Sequence, residues 1–195
     1  MSTIFFDVDT QIDFLYPAGA LYVPGAERIV DNVSRLNRFA AARGFLLISD
    51  MDAHRENDPE FHEWPAHCVA GTVGQAKPQA TLLDKRVVIS SKAPLHAWPS
   101  GAQQILLEKQ SLDAFSNPRL PGFLESLGAE RFVVYGVVTE ICVKFAAWGL
   151  LRTGKRVELV TDAIRSLNED EAQKMMQELE AAGGALTTTG SVLAS

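Results

Sequence analysis

A cysteine lies close to the start of an expected helix, just after an apolar strand and a short turn. Residues 131–135 form the apolar segment, the turn begins at Gly136, and Cys142 falls near the first turn of a helix expected over 140–152. Partial positive charge and unpaired N–H groups at a helix N-terminus favour a thiolate over a thiol, and they could stabilise an oxyanion. We therefore interpret Cys142 as a nucleophile with a lowered pKa. Its alternative role is that of a small buried hydrophobic residue.

A carboxylate and an ammonium group elsewhere in the chain could activate this thiol. Asp9 follows the apolar segment 4–8, and Lys109 follows the segment 105–108. Asp9 could accept the thiol proton, while Lys109 could stabilise the thiolate. Taken singly, Asp9 could cap a turn and Lys109 could be a solvated surface residue. The three residue types together predict a catalytic triad.

A second group of side chains has the composition of a metal site. Asp52, His54 and His67 offer one carboxylate oxygen and two imidazole nitrogens, which suit zinc, iron or manganese. Three residues between the histidines could add a fourth ligand: Glu60, His62 and Glu63. The alternative is that both histidines are hydrogen-bonding loop residues.

Short apolar segments alternate with segments of helical spacing. The expected strands are residues 4–8, 45–48, 86–89, 105–108, 131–135, 156–160 and 185–188. The expected helices lie over 29–40 with Gly44 as C-terminal cap, 120–127, 140–152, and 172–182 ending at Gly183 and Gly184. This order predicts a three-layer α/β/α sandwich with a mostly parallel sheet, in one domain over residues 1–195.

The candidate residues all follow expected strands of this sheet. Asp9, Asp52, Lys109 and Cys142 come from four different segments, and the carboxyl ends of parallel strands meet at one edge, where ligands bind. The polar stretch from 50 to 78 is too long for a simple connection, which indicates a functional loop. The sequence therefore predicts one site at this edge.

Composition excludes several classes of protein. The chain has 195 residues, a net charge of −6 and no basic block, so we expect no nucleic-acid partner. Its N-terminus does not resemble a signal peptide, and no apolar stretch reaches membrane-spanning length. Cys68 and Cys142 do not suggest a disulfide scaffold, and we assign Cys68 a buried structural role. These observations indicate a reduced, cytoplasmic protein that needs no membrane.

Three motifs carry a resemblance to a known family. Residues 9–14 match the pattern Asp-x-Gln-x-Asp-Phe, and residues 136–143 match Gly-x-x-Thr-x-x-Cys-Val. Residues 64–68 are similar to Trp-Pro-Pro-His-Cys, with Ala66 in place of the second proline. On these motifs the chain resembles the cysteine hydrolases of the isochorismatase-like superfamily, and among them the nicotinamidases.

The resemblance implies a fold, a reaction and a role for each candidate residue. The implied fold is the isochorismatase-like hydrolase fold. The implied reaction is hydrolysis of a small amide, nicotinamide before others, through a thioester on Cys142, with Asp9 and Lys109 as its catalytic partners. The oxyanion would bind the backbone N–H groups of Val138 and Cys142, beside a cis peptide between Val137 and Val138.

The resemblance also implies a bound metal and a pocket for a flat ring. Asp52, His54 and His67 would hold one divalent transition ion, zinc first and iron or manganese as alternatives, which would bind the ring nitrogen of the substrate. Phe14 and Trp64 would contact the ring, or else be ordinary core aromatics. The implied setting is NAD salvage, and a homo-oligomer is left open.

Two other functions stay open at this point. One is a related cysteine amidase that acts on another small amide, such as a carbamoyl compound or maleamate. The other is a non-enzymatic binding module on the same fold. An isochorismatase proper fits less well, because that branch does not use the cysteine.

Overall fold

The centre of the molecule is a seven-stranded sheet in which neighbouring strands run parallel. The computed structural model describes residues 2–91 and 101–195. Its strands are β1 (Thr3–Val8), β2 (Leu46–Asp52), β3 (Arg86–Ile89), β4 (Gln104–Lys109), β5 (Arg131–Val137), β6 (Arg156–Arg165) and β7 (Ala185–Thr187). Their order across the sheet is β3-β4-β2-β1-β5-β6-β7. Each pairing within these described ranges is parallel, so the expected parallel sheet is confirmed.

Helices form the two outer layers. They are α1 (Ile12–Leu15), α2 (Val30–Ala42), α3 (Leu120–Leu127), α4 (Lys144–Leu151), α5 (Glu169–Ala181) and α6 (Thr189–Leu193). Helix α2 packs on β1, β2 and α6, whereas α4 packs on β5, β6 and α5. The expected three-layer α/β/α architecture is confirmed. Within the described ranges, none of the helices has the length and apolarity needed to cross a membrane.

Helix α2 shows how the core is built. Val33, Leu36 and Ala40 lie on its inner face and are fully buried, as their spacing predicts. Asn37 is also buried on that face, but its side chain is satisfied, because it donates to a backbone carbonyl and accepts a 2.6 Å bond from the Tyr135 hydroxyl of β5. The expected cap at Gly44 has the left-handed φ of 71°.

Several elements differ from the sequence-based expectation. Strand β2 extends to Asp52, so the first residues of the polar stretch belong to the sheet. Strand β6 continues to Arg165, beyond the expected end at Val160. Residues Thr139–Val143 form a π-helical turn before α4 begins. The short helices α1 and α6 were not expected at all.

Strands β2, β3 and β4 lie on one side of β1, and strands β5, β6 and β7 lie on its other side. The strand order therefore reverses between β1 and β5, at the centre of the sheet. Gly136 of β5 lies beside Val8 of β1 and has a φ of 124°, which favours glycine. A Cβ at this position would lie 2.0 Å from the Val8 carbonyl oxygen. Only glycine therefore lets the two strands approach here, where open α/β sheets bind their ligands.

Candidate active site

The structure brings Asp9, Lys109 and Cys142 together at the carboxyl edge of the sheet. Asp9 directly follows β1, Lys109 is the last residue of β4, and Cys142 lies in the π-helical turn after β5. The Nζ atom of Lys109 is 2.8 Å from Oδ2 of Asp9. The Cys142 thiol and the Asp9 carboxylate interact, and each group shifts the pKa of the other. Three separate segments thus form one cluster with the composition of a thiol, a base and a cation.

Lys109 is a fully buried cation held between two carboxylates. Its Nζ atom lies 2.5 Å from Oδ1 of Asp52 and 2.8 Å from Oδ2 of Asp9, and it donates to the Ser111 carbonyl at 3.1 Å. Burial alone would lower the pKa of Lys109, but the charges of Asp52 and Asp9 outweigh burial and raise that pKa well above its usual range. The ammonium form is therefore fixed, and the surface role for Lys109 is wrong.

Asp9 is placed to exchange a proton with the thiol. Burial and the charge of Asp52 raise the pKa of Asp9, while Lys109 acts in the opposite direction. A carboxylate with a raised pKa is a better proton acceptor than a solvated aspartate. Because the two groups interact, the thiol is close to its proton acceptor.

The expected lowering of the Cys142 pKa is wrong. Burial raises the pKa of this thiol well above its usual range, and the charge of Lys109 does not offset burial. The reason is that Asp9 and Asp52 surround the same ammonium group and act on the thiol with the opposite sign. At rest Cys142 is therefore a thiol, and it needs Asp9 as a proton acceptor to become a thiolate.

The three expected metal ligands also converge. Ligand atoms of Asp52, His54 and His67 all lie within 4.8 Å of one another, and all three residues are buried. Oδ2 of Asp52 is 3.7 Å from Nε2 of His54 and 3.9 Å from Nε2 of His67. Oδ1 of the same carboxylate contacts Lys109, so Asp52 joins the metal site to the triad.

The orientation of both imidazoles fits a cation between them. Nδ1 of His67 donates to the Pro65 carbonyl at 2.7 Å, which leaves Nε2 as an acceptor. Nδ1 of His54 lies 3.2 Å from Oδ2 of Asp58, and neither ring nitrogen of His54 has a hydrogen-bond partner of good geometry among the described residues. A carboxylate and two such nitrogens are a donor set that a divalent transition ion satisfies.

Glu60 is the best placed of the three candidates for a fourth ligand. Its Oε1 atom lies 4.0 Å from Nε2 of His54 and 3.9 Å from Nε2 of His67. His62 and Glu63, in contrast, are exposed. Burial and the nearby charge of Asp52 raise the pKa of Glu60, which is the effect that a cation at this point would reverse.

A mainly apolar cleft opens onto both groups. Its walls are formed by Phe14, Leu21, Val23, Asp52, Glu60, Trp64, His67, Leu112, Val138, Ile141, Cys142 and Leu167. Phe14 and Trp64, which the sequence assigns to the substrate, both line this cleft, and the Phe14 ring lies 5.3 Å from the imidazole of His67. A flat molecule in the cleft would contact the thiol and the metal site together.

The backbone before Cys142 has the expected conformation. The peptide bond between Val137 and Val138 is cis, as the resemblance implies. The N–H groups of Ile141 and Val143 both donate to the Val138 carbonyl, at 3.0 and 3.1 Å. Val138 and Cys142 lie together in the wall of the cleft. Their role in binding an oxyanion stays a prediction.

The structure adds three residues that the sequence did not single out. Oδ1 of Asp50 accepts the backbone N–H of Asp9 at 3.0 Å and so holds Asp9 at its positive φ of 46°. Asp58 faces His54, and the ring of Phe61 lies 5.3 Å from His54 and 5.6 Å from His67. Residues 54–58 do not form a helix, so their four-residue spacing gave no signal for the pair of His54 and Asp58. Nothing local marks Asp50, which acts across 41 positions of the chain.

Comparison with known proteins agrees with this architecture. The nicotinamidase of Escherichia coli (strain K12) is 29% identical over 209 residues, which cover 93% of this chain and 92% of the relative. The pyrazinamidase of Pyrococcus horikoshii in complex with zinc has a TM-score of 0.79 at 26% identity, with 96% and 99% of the two chains covered. PnC1 from L. infantum in complex with nicotinate has a TM-score of 0.79 at 27% identity, with 97% and 93% covered.

The same family is found by its sequence profile. The isochorismatase domain matches residues 3–191, which include each of the candidate residues above. The resemblance drawn from the three motifs is thereby confirmed. With its parallel sheet, its central cleft and a profile match along almost its whole length, this chain belongs to the isochorismatase domain family.

Proposed function

We propose that the chain is a metal-containing cysteine amidohydrolase that converts nicotinamide and water to nicotinate and ammonia. The observation that carries the proposal is the junction at Asp52, where a buried Asp9–Lys109–Cys142 cluster meets a three-ligand metal site in one cleft. The nicotinamidase and pyrazinamidase relatives support this choice of substrate.

The first half-reaction forms a thioester. Asp9 takes the proton of the Cys142 thiol as the sulfur attacks the carboxamide carbon. Lys109 stabilises the charges that appear on this pair, because its ammonium group lies 2.8 Å from Asp9. The backbone N–H groups of Val138 and Cys142 would hold the oxyanion of the tetrahedral intermediate. Asp9 then gives its proton to the departing nitrogen, the C–N bond breaks, and ammonia leaves.

The second half-reaction releases the acid. Asp9, again a carboxylate, takes a proton from a water molecule that attacks the thioester carbon. The C–S bond breaks, nicotinate leaves, and the proton held by Asp9 returns to the Cys142 sulfur. One carboxylate thus serves as acid and as base in turn, for which its raised pKa suits it.

Asp52, His54 and His67 would hold the metal ion, with Glu60 as a fourth ligand. When bound, the ion would accept the pyridine ring nitrogen and so orient the carboxamide towards the sulfur. We propose zinc, with iron or manganese as alternatives, on the basis of the mixed nitrogen and oxygen donors.

The rest of the cleft favours a neutral flat ring over an anionic substrate. Phe14 and Trp64 would contact the ring faces. Among the described lining residues, the groups away from the metal site are apolar. The nearby ammonium of Lys109 already forms ion pairs with two carboxylates. A carbamoyl acid or maleamate would bury its carboxylate without a partner there, which is costly.

We extend the proposal to the organisation and setting of the protein. Residues 1–195 would act as one catalytic domain, since the strands that supply the site span the sheet. The enzyme would be cytoplasmic and would return nicotinamide towards NAD.

An ammonia-release assay tests the substrate directly. We expect release from nicotinamide and pyrazinamide, and little from maleamate or N-carbamoyl acids. Cys142→Ala should lower turnover at least about a thousandfold. The variant should still fold, because the sulfur lines the cleft and its removal widens an existing opening.

Two results would contradict the proposal. Turnover of Cys142→Ala within tenfold of the unchanged protein would rule out the covalent mechanism. Preferential hydrolysis of carboxylate-bearing amides would favour the alternative amidase, and no turnover of any amide would favour the binding module.

A further inference from the structure

Two polar side chains of the segment after β1 take no part in the proposed chemistry. Gln11 and Asp13 follow Asp9 in the pattern Asp-x-Gln-x-Asp-Phe. Gln11 is fully buried, and Asp13 is half-buried. The side chains of both hydrogen-bond to the segments that carry the metal ligands. Their hydrogen bonds indicate what they do.

Gln11 holds the backbone of Asp52 from both sides. Its Oε1 atom accepts the Asp52 N–H at 2.7 Å, and its Nε2 atom donates to the Asp52 carbonyl at 2.9 Å. The same Nε2 atom donates to the Gln75 carbonyl at 2.8 Å, near the end of the long loop. One amide therefore ties the first metal ligand to both the catalytic segment and the loop.

Asp13 holds the backbone next to His67. Its Oδ2 atom accepts the Cys68 N–H at 2.7 Å, and its Oδ1 atom accepts the Ala20 N–H at 3.0 Å. Its own backbone N–H donates to the Gly74 carbonyl at 3.1 Å. A Cβ on Gly74 would lie 2.1 Å from Oδ2 of Asp13, so the loop packs directly on this carboxylate.

We infer that Gln11 and Asp13 are positioning residues that set the spacing of the metal ligands Asp52 and His67. The inference rests on the proposed metal site. Asp52 leaves the sheet at the end of β2, whereas His67 lies 15 positions later in the loop, so their spacing is not fixed by local structure. Gln11 and Asp13, in the segment that follows Asp9, restrain the backbone at Asp52 and next to His67.

A metal site depends strongly on such restraint. Groups that orient ligands from outside typically contribute 10- to 100-fold to metal affinity. Loss of the Gln11 amide would free both backbone groups of Asp52, and therefore the direction of its carboxylate. We expect weaker metal binding even in a protein that keeps its fold.

The test compares Gln11→Met with a matched control, Gln104→Met. Gln104 is also fully buried, and its amide makes the same number of hydrogen bonds, to Leu83, Ser49 and Thr81. It lies at the first residue of β4, at the far end of the strand from Lys109. Both variants should lose stability, but only Gln11→Met should disturb the metal ligands.

Metal binding is measured on the full chain, stripped and then titrated. Zinc affinity is obtained by competition with a chromophoric chelator, and cobalt absorption reports the geometry of the ligands. The rise in unfolding temperature on adding zinc gives a further readout, because it depends on affinity and is compared within each variant. None of these measurements uses turnover.

We expect zinc to bind Gln11→Met about 10- to 100-fold more weakly, with an altered cobalt spectrum, and Gln104→Met as tightly as the unchanged chain. Asp13→Asn, which keeps only one acceptor oxygen, should weaken zinc binding in the same direction. If Gln11→Met does not fold, Asp13→Asn alone tests the inference.

Unchanged zinc affinity in the Gln11 or Asp13 variant that folds would overturn the inference, as would an equal loss in Gln104→Met. An unchanged chain that binds neither zinc nor cobalt would instead overturn the metal site of the proposed function, and the inference with it. The two failures are therefore distinguishable.

Discussion

At the scale of single residues, Asp52 has two tasks that depend on different oxygen atoms. Oδ1 contacts the ammonium of Lys109 at 2.5 Å, and Oδ2 faces the two imidazoles. Burial alone would raise the pKa of Asp52, but the charge and hydrogen bond of Lys109, together with the nearby His54, outweigh burial and lower that pKa to about 2. Asp52 is therefore a permanent anion, and Asp9 is left as the carboxylate that exchanges protons.

Asp9→Asn tests whether Asp9 is the carboxylate that exchanges the proton. The amide has nearly the volume of the carboxyl group but cannot accept the thiol proton, so we expect kcat/KM for nicotinamide to fall by about 10²- to 10⁴-fold. Asp31→Asn, in the exposed first turn of α2, is the matched control and should change little. Ammonia release checks both variants. Near-normal turnover of Asp9→Asn would assign the proton to another base.

The raised pKa of Cys142 predicts how its alkylation depends on pH. Because the thiol form dominates at neutral pH, labelling by iodoacetamide should keep rising up to and beyond pH ~8.5, the usual thiol pKa. Cys68 is fully buried, so we expect it to stay unlabelled in the folded protein. Mass spectrometry of labelled peptides separates the two sites. A plateau of Cys142 labelling below pH 7 would indicate a preformed thiolate instead.

At the scale of elements, the long loop after β2 is fastened to the sheet at its far end. Lys77, near the end of this loop, is buried with its Nζ atom 3.4 Å from Oδ2 of Asp7 in β1 and 3.0 Å from the Thr10 hydroxyl. Asp7 also accepts bonds from Thr10 and from Ser49 of β2. This buried pair joins the loop that carries His67 to β1, the strand that directly precedes Asp9.

Lys77→Met should therefore destabilise the protein. The change removes the cation and leaves a buried carboxylate, which costs about 3–5 kcal/mol in the free energy of unfolding. Lys174→Met, on the exposed surface of α5, should cost less than about 0.5 kcal/mol. Urea unfolding measures both. Addition of Asp7→Asn to Lys77→Met should recover part of the loss, and strictly additive losses would contradict a coupled pair.

The elements also show which structural features local sequence patterns do not predict. The core face of α2 and the bounds of α3 follow from hydrophobic spacing and from Pro121, because those signals are local. The extension of β6 through Thr161 and Asp162 does not, since it depends on pairing with β5 across a register shift. The π-helical turn at Cys142 likewise has no signal in the spacing of apolar residues.

At the scale of the whole molecule, the parallel sheet positions the residues of the site. Four neighbouring strands, β4, β2, β1 and β5, end at one edge and supply Lys109, Asp52, Asp9 and Cys142 in spatial order. This convergence could be predicted, because parallel strands place their carboxyl ends together. The hydrogen bond from Asp9 to Asp50 and the raised thiol pKa could not, because they depend on burial and on contacts between distant segments.

The central claim is that the metal site selects a ring nitrogen for the thiol next to it. Its most direct test compares kcat/KM for nicotinamide and benzamide, which differ only in that nitrogen, in the zinc-loaded chain and in His67→Ala. We predict that the loaded chain prefers nicotinamide at least about tenfold, a difference of ~1.4 kcal/mol, and that His67→Ala loses this preference. Equal hydrolysis of the two amides by the loaded chain, unchanged in His67→Ala, would contradict the account.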